Sequence, residues 1–170
     1  MKISMIIVAL VLCLTAFAQK PEEKLQQKGI ELPAVASPVA NYVNVVRVGN
    51  LLFLSGKGPL QKDGKYITGK PGKDLTIEQG YEAARLTAIN QLAVLKNELG
   101  ELSRIRRIVK VLGMVNSDPG FSDHPKVING FSDLMVEILG DKGKHARSAV
   151  GMASLPFNMA VEVEMIVEVE

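Results

Sequence analysis

The sequence contains very little cysteine, tryptophan or histidine. Its 170 residues include one cysteine, no tryptophan and two histidines, and aromatic residues make up only 5%. A single cysteine excludes an internal disulfide framework and a zinc site built from several thiolates. Few aromatic rings disfavour a surface that stacks unpaired nucleotide bases. The formal net charge of +2 likewise disfavours binding to nucleic acid by charge alone.

Aliphatic residues are abundant instead. Hydrophobic residues make up 47% of the chain and charged residues 22%, a balance that excludes an intrinsically disordered protein. A chain of this length fits one ordinary domain, or at most two small ones, and buries a core without disulfides or metals. We therefore expect a single globular domain that binds no metal.

The first 18 residues predict a secretory signal peptide. Lys2 precedes an apolar run over residues 6–14, and Ala16-Phe17-Ala18 supplies the small residues of a cleavage site. The run is shorter than the roughly 20 residues that span a bilayer, so we expect an exported, periplasmic or secreted protein without a stable membrane anchor. A lipoprotein acylated at Cys13 remains an open alternative, whereas the abrupt change to polar residues at 19–24 argues against a buried N-terminal helix.

The rest of the chain divides into a lead-in, residues 19–37, and a domain, residues 38–170. The lead-in carries a short helix over residues 21–28, bounded by proline and glycine. Residues 61–75 read as a loop with room for a short strand at Tyr66-Ile67. The remaining elements are predicted from hydrophobic periodicity: strands at 42–48, 51–55, 105–115, 147–153 and 160–169, and helices at 76–99 and 123–139.

This order predicts an α+β fold in which two helices cover one face of a mixed sheet. The first long helix has one apolar stripe, and the last strand alternates valine with glutamate. The second face of the sheet would remain uncovered, so it requires a partner.

Few local motifs indicate chemistry. Gly56-Lys57-Gly58 follows a strand, but Leu51 stands at the first glycine position of a phosphate-binding loop. His124 and His145 show no metal-ligand spacing, so we interpret both as surface residues.

Two sequence blocks and a central tripeptide resemble the Rid (YjgF-type) family of reactive enamine/imine deaminases, whose older label is L-PSP endoribonuclease. The resemblance runs from about Pro38 to the C-terminus. It is carried by Asn41-Tyr42-Val43, Val48 to Gly56 and Pro59, by Val127-Ile128-Asn129, and by Ala146-Arg147-Ser148-Ala149-Val150, Leu155-Pro156 and Val161-Glu162-Val163-Glu164. It implies a chorismate-mutase-like subunit and a homotrimer whose open sheet faces form a barrel, with sites between subunits and no cofactor.

The resemblance also implies roles for individual residues. Arg147 would bind a substrate carboxylate with its planar guanidinium. Glu162 would activate the water that attacks the imine carbon and pass its proton to the leaving ammonia. The pocket wall would be formed by Tyr42, Ser55, Gly56, Asn129 and Ala149.

Three positions depart from the family pattern. His145 replaces a proline, Ala149 a frequent cysteine, and Lys57 a neutral residue. Three functions therefore stay open: a deaminase of small 2-imino acids, a non-catalytic binder of small carboxylates, and a ribonuclease-like translation inhibitor. Export disfavours the last, since RNA would be out of reach, and we expect no nucleic-acid partner.

The positions of Arg147 and Glu162 suggest a shared site. If the last two strands form a hairpin turning near residues 156–158, Met152 lies opposite Glu162 and Arg147 opposite Val167. The two side chains are then roughly 17 Å apart at about 3.3 Å per residue, and on opposite faces. We therefore expect Arg147 of one subunit to meet Glu162 of its neighbour.

Overall fold

The computed structural model of the protein describes residues 19–35, 37–38 and 40–170. The predicted signal peptide, residues 1–18, lies outside the described residues, so export stays a prediction. None of the helices in the described ranges is long and apolar enough to cross a membrane.

The described residues form three α-helices and five strands in nearly the predicted order, together with three short 3₁₀ helices. The single bridges Leu60–Tyr66 and Thr68–Met159 replace the short strand suggested at Tyr66-Ile67. The elements are α1 (Pro21–Gln27), β1 (Val45–Val48), β2 (Leu51–Lys57), α2 (Ile77–Leu99), β3 (Ile105–Asn116), α3 (His124–Leu139), β4 (Ala146–Met152) and β5 (Val161–Val169).

The strands form one mixed sheet in the order β1-β2-β5-β3-β4. β4 pairs with β3 in parallel, and the other neighbours are antiparallel. The predicted hairpin between β4 and β5 is therefore wrong, because β3 lies between them. The connection through residues 153–160 is long enough to carry the chain past β3, so proximity in sequence does not make these strands neighbours.

Both long helices pack on the same face of the sheet, which confirms the predicted α+β architecture. Alternate residues of β5, from Val161 to Val169, are buried against this helical layer. Helix α2 begins with a capping box, in which Gln79 N donates to Thr76 Oγ1 (3.2 Å) and Thr76 N donates to Gln79 Oε1 (2.8 Å). It ends at Gly100, whose φ of 77° favours glycine.

Helices α2 and α3 approach each other closely at Gly130. A Cβ atom on this residue would overlap the carbonyl oxygen of Tyr81 and lie 3.1 Å from the backbone nitrogen of Arg85. Both obstacles are backbone atoms, so a rotamer change cannot relieve the overlap. Pairs of side chains flank the contact, with Tyr81 Oη donating to Asp133 Oδ2 at 3.0 Å.

We expect Gly130→Ala to lower the free energy of unfolding by about 2 kcal/mol. Alanine favours a helix over glycine by about 1 kcal/mol, but overpacking costs about 1–3 kcal/mol, and more where the backbone must move. Urea denaturation at one protein concentration measures the difference. Gly120→Ala is the matched control, because a Cβ there meets no atom within 4 Å. A Gly130→Ala protein as stable as the parent would show that the helices can separate at little cost.

The other face of the sheet carries exposed apolar side chains. Four of them come from the three strands β1, β2 and β4: Val46 (50% exposed), Phe53 (41%), Val150 (38%) and Met152 (37%). An apolar surface spread across several strands is typical of an interface. These exposed side chains are the reason to expect a partner on this face, and the partner itself stays a prediction.

Candidate functional site

Arg147 lies on the edge strand β4, on the face covered by α3. Its Nη1 group donates to Asn129 Oδ1 at 3.0 Å and to Ser132 Oγ at 2.9 Å. Both acceptors come from one face of α3, because they are three residues apart in a helix. No described residue accepts a hydrogen bond from Nε or Nη2, so that edge of the guanidinium can bind a carboxylate through two parallel hydrogen bonds.

A chain of hydrogen bonds through Ser132 and His145 fixes the orientation of this arginine. His145 Nε2 lies 3.0 Å from Ser132 Oγ, and its Nδ1 lies 2.6 Å from the carbonyl oxygen of Gly143. A carbonyl can only accept, so Nδ1 carries the hydrogen and Nε2 accepts from the serine hydroxyl. Burial, assisted by the charge of Arg147, lowers the pKa of His145, which keeps the imidazole neutral and able to accept at neutral pH.

The interpretation of both histidines as surface residues is wrong. His145 is half-buried in this chain of hydrogen bonds, and His124 Nε2 lies 3.1 Å from Ser117 Oγ. The residues next to His145 in sequence do not reveal its partner, because Ser132 lies 13 residues earlier, on α3. Ser132 and Gly143 were missed for the same reason.

Glu162 lies on the opposite face of the sheet, above Gly56 of the neighbouring strand β2. A Cβ on Gly56 would overlap Glu162 Oε1 and lie 2.9 Å from Cδ, so a larger residue there would displace this carboxylate. The carboxylate makes no hydrogen bond or ion pair with any residue in the described ranges. Burial, followed by the charge of Glu164, raises the pKa of Glu162. A carboxylate whose pKa is raised accepts a proton more readily than an exposed glutamate does.

A β-bulge positions Gly56. The pairing of β2 with β5 shifts between Leu54 and Lys57, and Gln91 of α2 fills the gap by donating from Nε2 to Ser55 O (3.0 Å) and Val163 O (2.8 Å). Bulges commonly re-aim residues at functional sites. The strand predicted from residue 42 begins only at Val45, which is level with Leu54 at the start of the bulge.

The remaining predicted site residues occupy different surroundings. Ser55 belongs to the bulge, and its hydroxyl donates to Val43 O at 2.7 Å. Ala149 lies on β4, two residues beyond Arg147, and packs against the core. Tyr42 is 49% exposed and lines a cavity on the helical side of β2.

Two groups of residues therefore lie on opposite faces of one subunit. The first comprises Arg147, Asn129, Ser132, His145 and Ala149, and the second comprises Glu162, Gly56 and Ser55. Arg147 lies level with Val111, which is level with Met165. Met165 is three residues from Glu162, roughly 10 Å along the strand, and an odd separation reverses the face. Arg147 and Glu162 therefore lie on opposite faces, as predicted, although the strands that separate them are not paired as the predicted hairpin.

The described residues contain no group of three or more His, Cys, Asp or Glu side chains arranged to hold a metal ion. The two groups offer side-chain chemistry of their own. It consists of a guanidinium with a free edge and a half-buried carboxylate of raised pKa.

Comparison with known proteins places these residues in a family context. The chain is 45% identical over 145 residues to Protein TCP17 of Trypanosoma cruzi, covering 85% of this chain and 91% of that one. It is 32% identical over 142 residues to a 2-iminobutanoate/2-iminopropanoate deaminase of Dermatophagoides farinae, covering 83% and 95%. A crystal structure of a protein of unknown function from Agrobacterium tumefaciens is 46% identical, with a TM-score of 0.81 over 88% of this chain and 94% of that chain.

The family profile described as "YjgF/chorismate mutase-like, putative endoribonuclease" matches residues 22–169. This span includes the whole described fold except the first residue of α1, and it confirms the resemblance inferred from the sequence. The chain therefore belongs to the YjgF/Rid family.

Proposed function

We propose that this protein is a hydrolytic deaminase that converts small 2-imino acids, or the enamines in equilibrium with them, into 2-oxo acids and ammonia. The observation that carries the proposal is the free Nε–Nη2 edge of Arg147, fixed in orientation through Nη1. A 2-imino acid presents a carboxylate next to its reacting carbon. Binding the carboxylate at this edge therefore also positions the carbon.

Glu162 supplies the proton transfers. Its carboxylate removes a proton from water as the water oxygen bonds to C2 of the iminium. The same proton then moves to the nitrogen. As the C–N bond breaks and the carbonyl forms, Glu162 takes the remaining hydroxyl proton and passes it to the leaving ammonia, which departs as ammonium. The raised pKa of Glu162 suits these steps, since a general acid–base works best when its pKa approaches the working pH.

The two groups would come together between subunits. Arg147 and Glu162 lie on opposite faces of one chain, whereas the exposed apolar sheet face needs a partner. We propose a homotrimer with cyclic symmetry, in which Arg147 of one subunit and Glu162 of the next face the same cleft. Light scattering that gives a trimer mass at micromolar concentration supports this assembly, and a monomer mass contradicts it.

The activity is tested by mixing the protein with 2-iminobutanoate generated enzymatically. We expect the imine to disappear faster than in buffer, with stoichiometric 2-oxobutanoate and ammonia. The Arg147→Ala protein, checked for the same oligomeric mass, serves as the control for the proposed site. A rate equal to spontaneous hydrolysis in buffer would refute the deaminase.

A non-catalytic carboxylate binder is the second candidate. It is favoured by one observation: the Arg147 group is complete within one subunit, without Glu162. Such a protein would bind 2-oxobutanoate in calorimetry while leaving the imine hydrolysis rate unchanged. The family is also described as an endoribonuclease. Incubating the protein with RNA and measuring cleavage therefore tests that activity beside the other two.

Ser132 is expected to position Arg147, so Ser132→Ala should raise KM about fivefold while kcat changes less than about twofold. The alanine removes one of the two hydrogen bonds on Nη1 and the link to His145, but it leaves Glu162 untouched. Steady-state kinetics measures the split, with the exposed Ser122→Ala as control. A loss confined to kcat would show that Ser132 acts on the reaction itself.

A further inference from the structure

A cavity of about 280 Å³ lies on the helical side of β2, away from Glu162. It is enclosed by the lead-in around Pro33 and Val35, by the end of β2, and by α2 at Asn90 and Val94. The volume lies just below the usual range for ligand pockets, so it suits only a small molecule. Neither Arg147 nor Glu162 is among the residues that line it, so the proposed deaminase does not use this cavity.

Lys57 is the only charged residue among the described residues that line the cavity. Its Nζ donates to Asn44 Oδ1 at 2.5 Å, and it forms no ion pair with a described carboxylate. Burial lowers the pKa of this ammonium group, because a partly desolvated charge without a counter-charge is destabilised. An anion in the cavity would relieve that cost.

The other walls are largely apolar. Tyr66 and Phe157 stack with ring centroids 5.7 Å apart and an interplanar angle of 13°. Phe157 is 70% exposed and has a φ of 55°, a conformation that bulky residues adopt rarely. The following residue, Asn158, is held by a hydrogen bond from Asn116 Nδ2 at 2.9 Å. A strained backbone therefore keeps an aromatic ring at the cavity.

We propose that this cavity binds a small apolar monocarboxylate, with its carboxylate at Lys57 and its apolar body against the Tyr66–Phe157 stack. A single ammonium balances one negative charge, which favours a monocarboxylate over a phosphate dianion. Tyr42 also lines the cavity, and its phenol is a second group that can donate to a carboxylate. The lead-in forms one wall, so the ligand also ties this segment to the domain.

Calorimetric titration with 3-phenylpropionate tests the proposal on the full mature protein. We expect binding to the parent, and about tenfold or weaker binding to Lys57→Gln, because a charge-assisted hydrogen bond is lost. Lys57→Arg should retain most of the affinity. Lys126→Gln removes the same charge from an exposed position on α3 and should bind like the parent. The neutral 3-phenylpropanamide should bind the parent and Lys57→Gln equally.

Arg147→Gln separates this site from the proposed active site. If the ligand occupies the cavity, Arg147→Gln binds 3-phenylpropionate like the parent, whether or not the protein is a deaminase. The proposal is overturned if the parent shows no binding, if Lys57→Gln binds within about twofold of the parent, or if Arg147→Gln abolishes binding. Circular dichroism and oligomeric mass confirm that each variant folds.

Discussion

Replacing Glu162 by glutamine is expected to lower kcat for 2-iminobutanoate hydrolysis by about 10²- to 10⁴-fold, the usual contribution of a general acid–base. Glutamine preserves the shape of the side chain over Gly56 but can neither take a proton from water nor return it. Carboxylate binding at Arg147 is unaffected, so KM should change little. Stopped-flow measurement of imine disappearance follows both quantities.

The same substitution should stabilise the protein at neutral pH. Because burial raises the pKa of Glu162 in the folded subunit, the folded state binds more protons than the unfolded state above the ordinary pKa of 4.5. Stability is therefore lost as the pH rises through the folded-state pKa. We expect Glu162→Gln to gain on the order of 0.5 kcal/mol at pH 8, and no gain at pH 4.

Two further variants separate the carboxylate from its surroundings. Glu168→Gln removes a charge from the same strand at its other end, where Glu168 Oε1 accepts from Asn50 Nδ2 at 3.2 Å, and should keep full activity. Gly56→Ala retains the carboxylate but displaces it, so kcat should also fall. A Glu162→Gln protein that retains activity within about tenfold of the parent would mean that another group activates the water.

Mixing two inactive variants should restore activity. Arg147→Ala and Glu162→Gln subunits are each expected to form inactive trimers, since every cleft lacks one of the two groups. In randomly reassembled equimolar trimers, about one cleft in four pairs an intact Arg147 with an intact Glu162 of its neighbour. The mixture should therefore reach about a quarter of the parent activity after joint unfolding and refolding.

The matched control mixes Arg147→Ala with the Arg147→Ala/Glu162→Gln double variant. No cleft in that mixture contains Arg147, so no activity should return. Native mass spectrometry verifies that both mixtures contain hybrid trimers. Verified hybrids without any recovery, alongside an active parent, would show that a single subunit supplies both residues.

The local elements follow from sequence patterns. Thr76, Gln79 and Gly100 mark the ends of α2, and the capping box and the positive φ observed there are the structures those residues favour. The alternation from Val161 to Val169 likewise predicts which side of β5 is buried. These features depend on contacts within a few residues, so periodicity and propensity suffice to predict them.

Buried polar residues could not be predicted in this way. Thr87, Asn90 and Gln91 are buried on α2 beside its apolar stripe. Gln91 is retained there because the bulge in β2 exposes the carbonyl groups of Ser55 and Val163 to the core, and buried carbonyls need donors. Nothing in the sequence of α2 indicates a bulge in another strand.

Strand order and the arrangement of the site likewise depend on contacts between distant segments of the chain. The sequence by itself determined the elements, the α+β class and, through the family motifs, the identity of Arg147 and Glu162 as candidates. Only the tertiary structure decided that β3 separates β4 from β5, that Ser132 and His145 support Arg147, and that Glu162 stands over Gly56. Each of these is a contact between residues distant in sequence, and such contacts arise from packing whole layers together, not from the local preferences of any segment.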